Sequence, residues 1–171
     1  MTTTKITPRI YVACLASYNA GKLHGAWIDA TQCPDDIQAE VDAMLAESPE
    51  PDAEEWAIHD HEGLGDIGES ESFERVSAIG QAIANAGEDA PALLAFMDYD
   101  SQNDPEDFED CYAGEWDSLE DFAYDFHENT TGLDYPLVSY IDWKAVARDM
   151  VINHFWATHS PNGGVFVFWR R

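Results

Sequence analysis

Between Asp29 and Glu128 the chain carries 31 acidic side chains and a single basic one, Arg75, a net charge of about −30 over 100 residues. Like charges at that density repel one another and oppose any compact state. Such a stretch either stays unfolded or hangs its acids on the outside of an apolar core. The other seven bases, Lys5, Arg9, Lys22, Lys144, Arg148, Arg170 and Arg171, lie toward the ends. Hydrophobic residues make up 45% and aromatic residues 12% of the chain, too many for a disordered acidic tail. A folded chain is therefore expected. Its net charge of −26 far exceeds the magnitude of about 2–8 that keeps a small domain soluble. Nucleic acid and anionic membranes are excluded as natural partners, and basic surfaces are favoured.

Several function classes have no support. No apolar run reaches the ~18 residues of a membrane helix, and no signal-peptide stretch follows Lys5 and Arg9. A cytoplasmic location is expected. Cys14, Cys33 and Cys111 are odd in number and lack metal or redox spacing, so reduced thiols are expected. There is no phosphate-binding glycine loop, dinucleotide fingerprint or nucleophile elbow. Paired carboxylates suit glycoside hydrolysis, but with 34 acids every spacing occurs by chance. No enzymatic activity and no cofactor are expected.

Periodicity places the elements. Arg9–Leu15 reads as a strand, 18–21 as a turn and Leu23–Asp29 as the second strand of a hairpin. Pro34 opens a helix with Asp35 and Asp36 at its positive end and the stripe Ile37, Val41, Met44 and Leu45. Pro49 and Pro51 end it, and Glu54–Asp60 suits a third strand. Residues 1–62 thus form a β-β-α-β domain. Gly63, Gly65 and Gly68 mark a linker or loop. Helices over Ser72–Ala86 and Pro91–Tyr99 make a small helical middle domain, 63–103. Residues 104–171 form a third, α+β domain. It has a helix capped by Ser118 with Leu119, Phe122, Ala123 and Phe126 apolar. Another helix runs from Asp142 with Trp143, Val146, Ala147, Met150 and Val151 apolar. A closing hairpin, His154–Ser160 and Val165–Trp169, turns at Asn162-Gly163. The fold class expected is α+β: an elongated chain of three small domains, with small antiparallel sheets and helices at both ends and a mainly helical middle.

Two segments invite a metal. His59-Asp60-His61-Glu62 mixes imidazole and carboxylate ligands, though a strand running into the glycine loop explains it as well. Counting Asp98 as position 1 puts Asp100, Asp104 and Glu109 at positions 3, 7 and 12 of a calcium loop. Asn103 stands where glycine makes the turn, and Pro105 follows at position 8. An acidic surface loop fits better, and no metal site is assigned. What remains is the acidity itself. Carboxylates three or four residues apart on a helix lie about 4.5–6 Å apart along its axis. Duplex DNA carries one charge per ~1.7 Å. Several acidic helix faces side by side approach that density.

Ile10-Tyr11-Val12-Ala13-Cys14-Leu15-Ala16-Ser17-Tyr18-Asn19-Ala20-Gly21-Lys22-Leu23-His24-Gly25-Ala26-Trp27-Ile28-Asp29-Ala30 resembles the opening of the ArdA antirestriction proteins. The likeness continues at Glu55–Asp60, Gly114–Ser118, Tyr140–Trp143 and Gly163–Phe168. The resemblance implies three small domains in an elongated chain that dimerises and imitates bent B-form DNA. It implies inhibition of type I restriction–modification enzymes at their methyltransferase core, and carriage on mobile elements. Leu137–Met150 resembles the part that the family calls its antirestriction motif. An acidic calcium-binding protein, or a DNA mimic aimed at another DNA-binding protein, is the alternative.

The mimic surface expected begins with Asp35, Asp36, Glu40, Asp42 and Glu47 on the first long helix and Glu54 and Glu55 after it. It continues through Asp66, Glu69, Glu71, Glu74, Glu88, Asp89, Asp98, Asp100 and Asp104. It closes with Glu106, Asp107, Glu109, Asp110, Glu115, Asp117, Glu120, Asp121, Asp125 and Glu128. The resemblance places dimerisation in the C-terminal domain, with Leu137, Val138, Tyr140, Ile141 and Trp143 as interface candidates.

Overall fold

The computed structural model describes residues 6–132 and 136–171; Lys5 lies outside them. The chain divides into two compact units, Met1–Glu106 and Asp107–Arg171. Each contains a three-stranded antiparallel sheet, and the described residues form seven α-helices in all. The architecture is mixed α/β. Among the described residues no helix is long and apolar enough to cross a membrane.

In the first unit, β1 (Arg9–Cys14) is the central strand, with β2 (Gly25–Asp29) and β3 (Trp56–Glu62) antiparallel on either side. Ile10, Val12 and Cys14 are fully buried while Arg9 and Tyr11 are half-buried. Over Arg9–Val12 this is the two-residue alternation of a sheet with one face on a core; Ala13 is buried as well. The segment read as strand end and turn holds a five-residue helix, α1 (Leu15–Asn19), closed by backbone bonds from Ala20 and Gly21. α2 (Pro34–Ala46) starts on Pro34 and buries Ile37, Val41 and Met44 against the sheet.

α3 (Phe73–Asn85) is capped by Ser72, whose hydroxyl accepts from Arg75 N at 3.2 Å. It buries Val76, Ile79, Gly80 and Ile83, and packs on α2 and on α4 (Ala90–Tyr99). The Ser77 hydroxyl donates to Gln32 O at 2.6 Å. The glycine-marked stretch 63–68 is a packed loop. Leu64 and Ile67 are buried, Asp66 N donates to Met97 O, and a Cβ on Gly65 would meet the Met97 backbone at 2.6 Å.

In the second unit, α5 (Phe108–Cys111) leads into β4 (Tyr112–Trp116), a strand not anticipated from the sequence. The sheet order is β4-β6-β5, with β5 (Phe155–His159) and β6 (Val165–Trp169) joined by the expected hairpin. Gly163 takes φ +97° in its turn. α6 (Leu119–Thr131) and α7 (Trp143–Asn153) pack together. With the sheet they bury Phe122, Ala123, Ala147, Met150, Phe155 and Val167. Ser118 accepts from Asp121 N at 3.1 Å and donates to the Asp121 carboxylate at 2.5 Å. Asp142 caps α7 by accepting from Ala145 N.

Gly80 tests the close seating of α3. A Cβ there would lie 2.3 Å from the Ala30 carbonyl oxygen. Alanine normally improves a helix interior by about 0.5–1 kcal/mol over glycine. Overpacking against backbone costs about 1–3 kcal/mol, so Gly80→Ala is predicted to lower the Tm in calorimetry.

Candidate functional site

No described carboxylate is buried. The buried polar side chains are Ser17, Ser77 and Ser160, each in a hydrogen bond to a neighbour. Of the 26 acids expected on the surface, Glu71, Asp107 and Glu120 are half-buried and the other 23 are exposed. The elements explain this. α2 turns Ile37, Val41 and Met44 inward, which leaves Asp35, Asp36, Glu40 and Asp42 in solvent, with Glu47 at its C-cap. α6 does the same in the second unit, with Phe122 and Ala123 inward and Asp121, Asp125 and Glu128 outward.

Local bonds hold many of these carboxylates in place. Glu40 accepts from Gln32 at 2.7 Å, Asp42 from Gln38 at 2.8 Å and Asp125 from Asn129 at 3.0 Å. Glu115 accepts from the Ser160 hydroxyl. Tyr124 donates to Glu128 at 3.3 Å, and the nearby Glu128 charge, together with desolvation, holds the phenol above its ordinary pKa.

Most of the described bases are engaged inside their own unit. Arg75 reaches from α3 to donate to Ser101 O at 2.7 Å and Asn103 O at 2.8 Å, with Glu71 at 3.6 Å. The one base of the acidic segment thus fastens the Asp98–Asp104 loop to the body. Asn103 adds a bond to Phe96 O at 2.6 Å. Arg9 lies 4.4 Å over the Trp27 ring and pairs with Glu62 at 2.8 Å. The Arg9 hydrogen bond keeps the Glu62 carboxyl below its usual value. That contact contributes stability at neutral pH and loses it as pH falls through the depressed pKa. Lys22 pairs with Glu50 and Arg171 with Asp107, each at 2.5 Å. The role of Arg75 leaves one mark in the sequence, its isolation among 31 acids.

The two segments weighed for metals use their groups locally. A register shift between Tyr11 and Val12 leaves His59 outside the β1–β3 ladder, its ring edge-on to Tyr18 at 4.8 Å. The Asp60 carboxylate accepts from His61 N. Asp100 accepts from Gln102 N and Asp104 from Glu106 N, both at 2.9 Å, as in loops closed by their own side chains. Among the described residues no group of three or more His, Cys, Asp or Glu is placed to hold a metal ion. All three cysteines are free thiols, with Cys14 and Cys111 buried and Cys33 exposed.

The interface candidates sit at the α6–α7 connection. Leu137 and Tyr140 are 65% and 84% exposed, whereas Val138, Ile141 and Trp143 are half-buried. Trp143 packs edge-on against Tyr124 at 5.3 Å.

The fold and this surface define the class: a small mixed α/β chain whose apolar cores carry an outer layer of carboxylates. The family model described as antirestriction protein (ArdA) matches residues 10–162. The chain belongs to the ArdA family, which gives it antirestriction function and restriction enzymes in general as its partners. No curated protein matches it at a significant level.

Arg75 gives a direct test of how the acidic loop is held. In Arg75→Met the two carbonyl contacts are lost and the stem is kept. Hydrogen exchange is predicted to speed up at amides 100–104 by about tenfold or more, with amides of β1 unchanged. A single bond to a charged donor is worth about 1.5–3 kcal/mol, enough for that opening.

Proposed function

We propose that the chain inhibits type I restriction–modification enzymes by occupying the DNA-binding groove of the methyltransferase core in place of DNA. It would act in the cytoplasm, protecting incoming mobile elements. The observation that carries the reading is the absence of any buried carboxylate among the described residues, while 23 of the 26 expected surface acids are exposed. A groove that binds DNA is lined with Lys and Arg and gains affinity by releasing the counterions of phosphate. Carboxylates fixed on folded elements offer the same groove a rival array. Their rigidity lowers the ordering cost of binding.

Labelled-duplex competition against a type I methyltransferase tests the mechanism. Displacement is predicted at low salt and weakens as salt rises. On α2 a single acid-to-amide change costs less than about 1 kcal/mol. Neutralising Asp35, Asp36, Glu40, Asp42 and Glu47 together raises the half-inhibitory concentration at least tenfold. No displacement at low salt contradicts the proposal. Equal displacement from an unrelated DNA-binding protein points to a mimic without this target.

The proposal extends to assembly: three small domains in an elongated chain, paired into a homodimer carrying about −52, twice the net charge of one chain. Leu137 and Tyr140, large and exposed beside Val138, Ile141 and Trp143, support a C-terminal interface. Small-angle X-ray scattering tests both points. The predicted result is twice the chain mass and a radius of gyration well above the ~20 Å of a compact body of that size. Tyr140→Glu is predicted to halve the mass. A monomer at micromolar concentration contradicts the dimer.

A further inference from the structure

One hollow in the second unit has a chemistry that diffuse acidity does not explain. Along α6, Phe122, Asp125, Phe126 and Asn129 follow the spacing of a single helix face. With Trp116 of β4 and Trp169 of β6 they line an opening of about 320 Å³. The rings form a connected series, with centroids 4.7 Å apart for Trp116–Phe122, 5.9 Å for Phe122–Phe126 and 6.0 Å for Phe126–Trp169. Phe122 is buried, Trp116 and Phe126 are half-buried, and Trp169 is 42% exposed. Asp125 is exposed, and Asn129 Nδ2 fixes it by donating to both its carboxylate and its backbone oxygen, at 3.0 and 2.8 Å.

Aromatic rings joined by one oriented carboxylate suit a planar cation. A guanidinium stacks on ring faces, pairs with a carboxylate through its fork and is weakly hydrated. An ammonium satisfies the carboxylate but gives up the stacking. Arginine is also among the residues that concentrate binding energy at protein interfaces, together with tryptophan and tyrosine.

We infer that this hollow receives one arginine side chain from the basic groove of the partner enzyme. The inference rests on the reading of the chain as an occupant of that groove. It adds an anchor that fixes orientation, whereas the exposed carboxylates supply attraction without register. The charge complementarity is local: the lining carries the carboxylate of Asp125 and no basic side chain.

The test follows the indole N–H signals of Trp116 and Trp169 by NMR. The probes are acetyl-Gly-Arg-Gly-amide and its citrulline counterpart, equal in shape but uncharged. The expected result is a saturable shift at both indoles with the arginine peptide and little with citrulline. Asp125→Asn weakens it at least fivefold, while Asp52→Asn, which removes one charge from an exposed turn, changes it less than twofold. Equal shifts from both peptides, no saturation, or shifts that follow protein concentration alone would overturn the inference, the last by assigning the hollow to a second copy of the chain. In DNA displacement from the methyltransferase, Asp125→Asn is expected to raise the half-inhibitory concentration about five- to tenfold and Asp52→Asn less than twofold. Equal effects also overturn it. Failure of the wild-type chain to displace DNA would instead remove the mimicry reading, with the peptide titration still decided on its own result.

Discussion

Mutual repulsion of the carboxylates is the constraint that the rest of the structure answers. A chain with a net charge of −26 is driven to expand, and apolar burial is the dominant force available against it. Each unit answers with its own core: Ile10, Val12, Ile28, Ile37 and Val41 in the first, Phe122, Phe155, Val167 and Phe168 in the second. Ionised carboxylates are excluded from both because burial without a partner is very costly. The result is a sorting by depth that keeps the described acids out of both cores, while a few large apolar groups such as Leu23, Leu137 and Tyr140 stay exposed.

The scarcity of bases gives the remaining positive groups structural weight. Arg75 ties a loop bearing Asp98, Asp100 and Asp104 to α3. Arg170 donates from Nε to Phe155 O at 2.7 Å, joining the end of the chain to β5. Arg9 bridges β1 to Trp27 and Glu62 on the two flanking strands. These are short-range uses of charge inside a unit, so they hold the scaffold while leaving the negative exterior largely uncancelled.

Much of the fold was legible because two periods are hard to disguise. The stripes Ile37–Val41–Met44 and Leu119–Phe122–Ala123–Phe126 identified α2 and α6, and Asn162-Gly163 identified the final turn. β4 escaped because Tyr112–Trp116 includes Gly114 and Glu115, follows the acidic run 106–110, and finds its partner in β6 about fifty residues away. α1 escaped because five residues are too few to show a helical period, and Tyr18–Gly21 reads as a turn in either case. The acidic surface was visible in outline from charge alone. The attachment of its loops was not, since backbone carbonyls such as Ser101 O and Asn103 O leave no mark in a sequence. Nor was the aromatic hollow, whose walls come from four separate elements, β4, α6, β5 and β6.

Antirestriction function follows from the family; mimicry adds a geometric demand. Charge attracts a basic groove from any direction, but displacing DNA requires carboxylates held where phosphates would lie. A structure of the chain bound to a type I methyltransferase core tests this most directly. Exposed carboxylates of α2 and α6 are predicted to lie within hydrogen-bond reach of the same Lys and Arg side chains that hold phosphates in the DNA complex. A chain seated elsewhere on the enzyme, with that groove open, would contradict it.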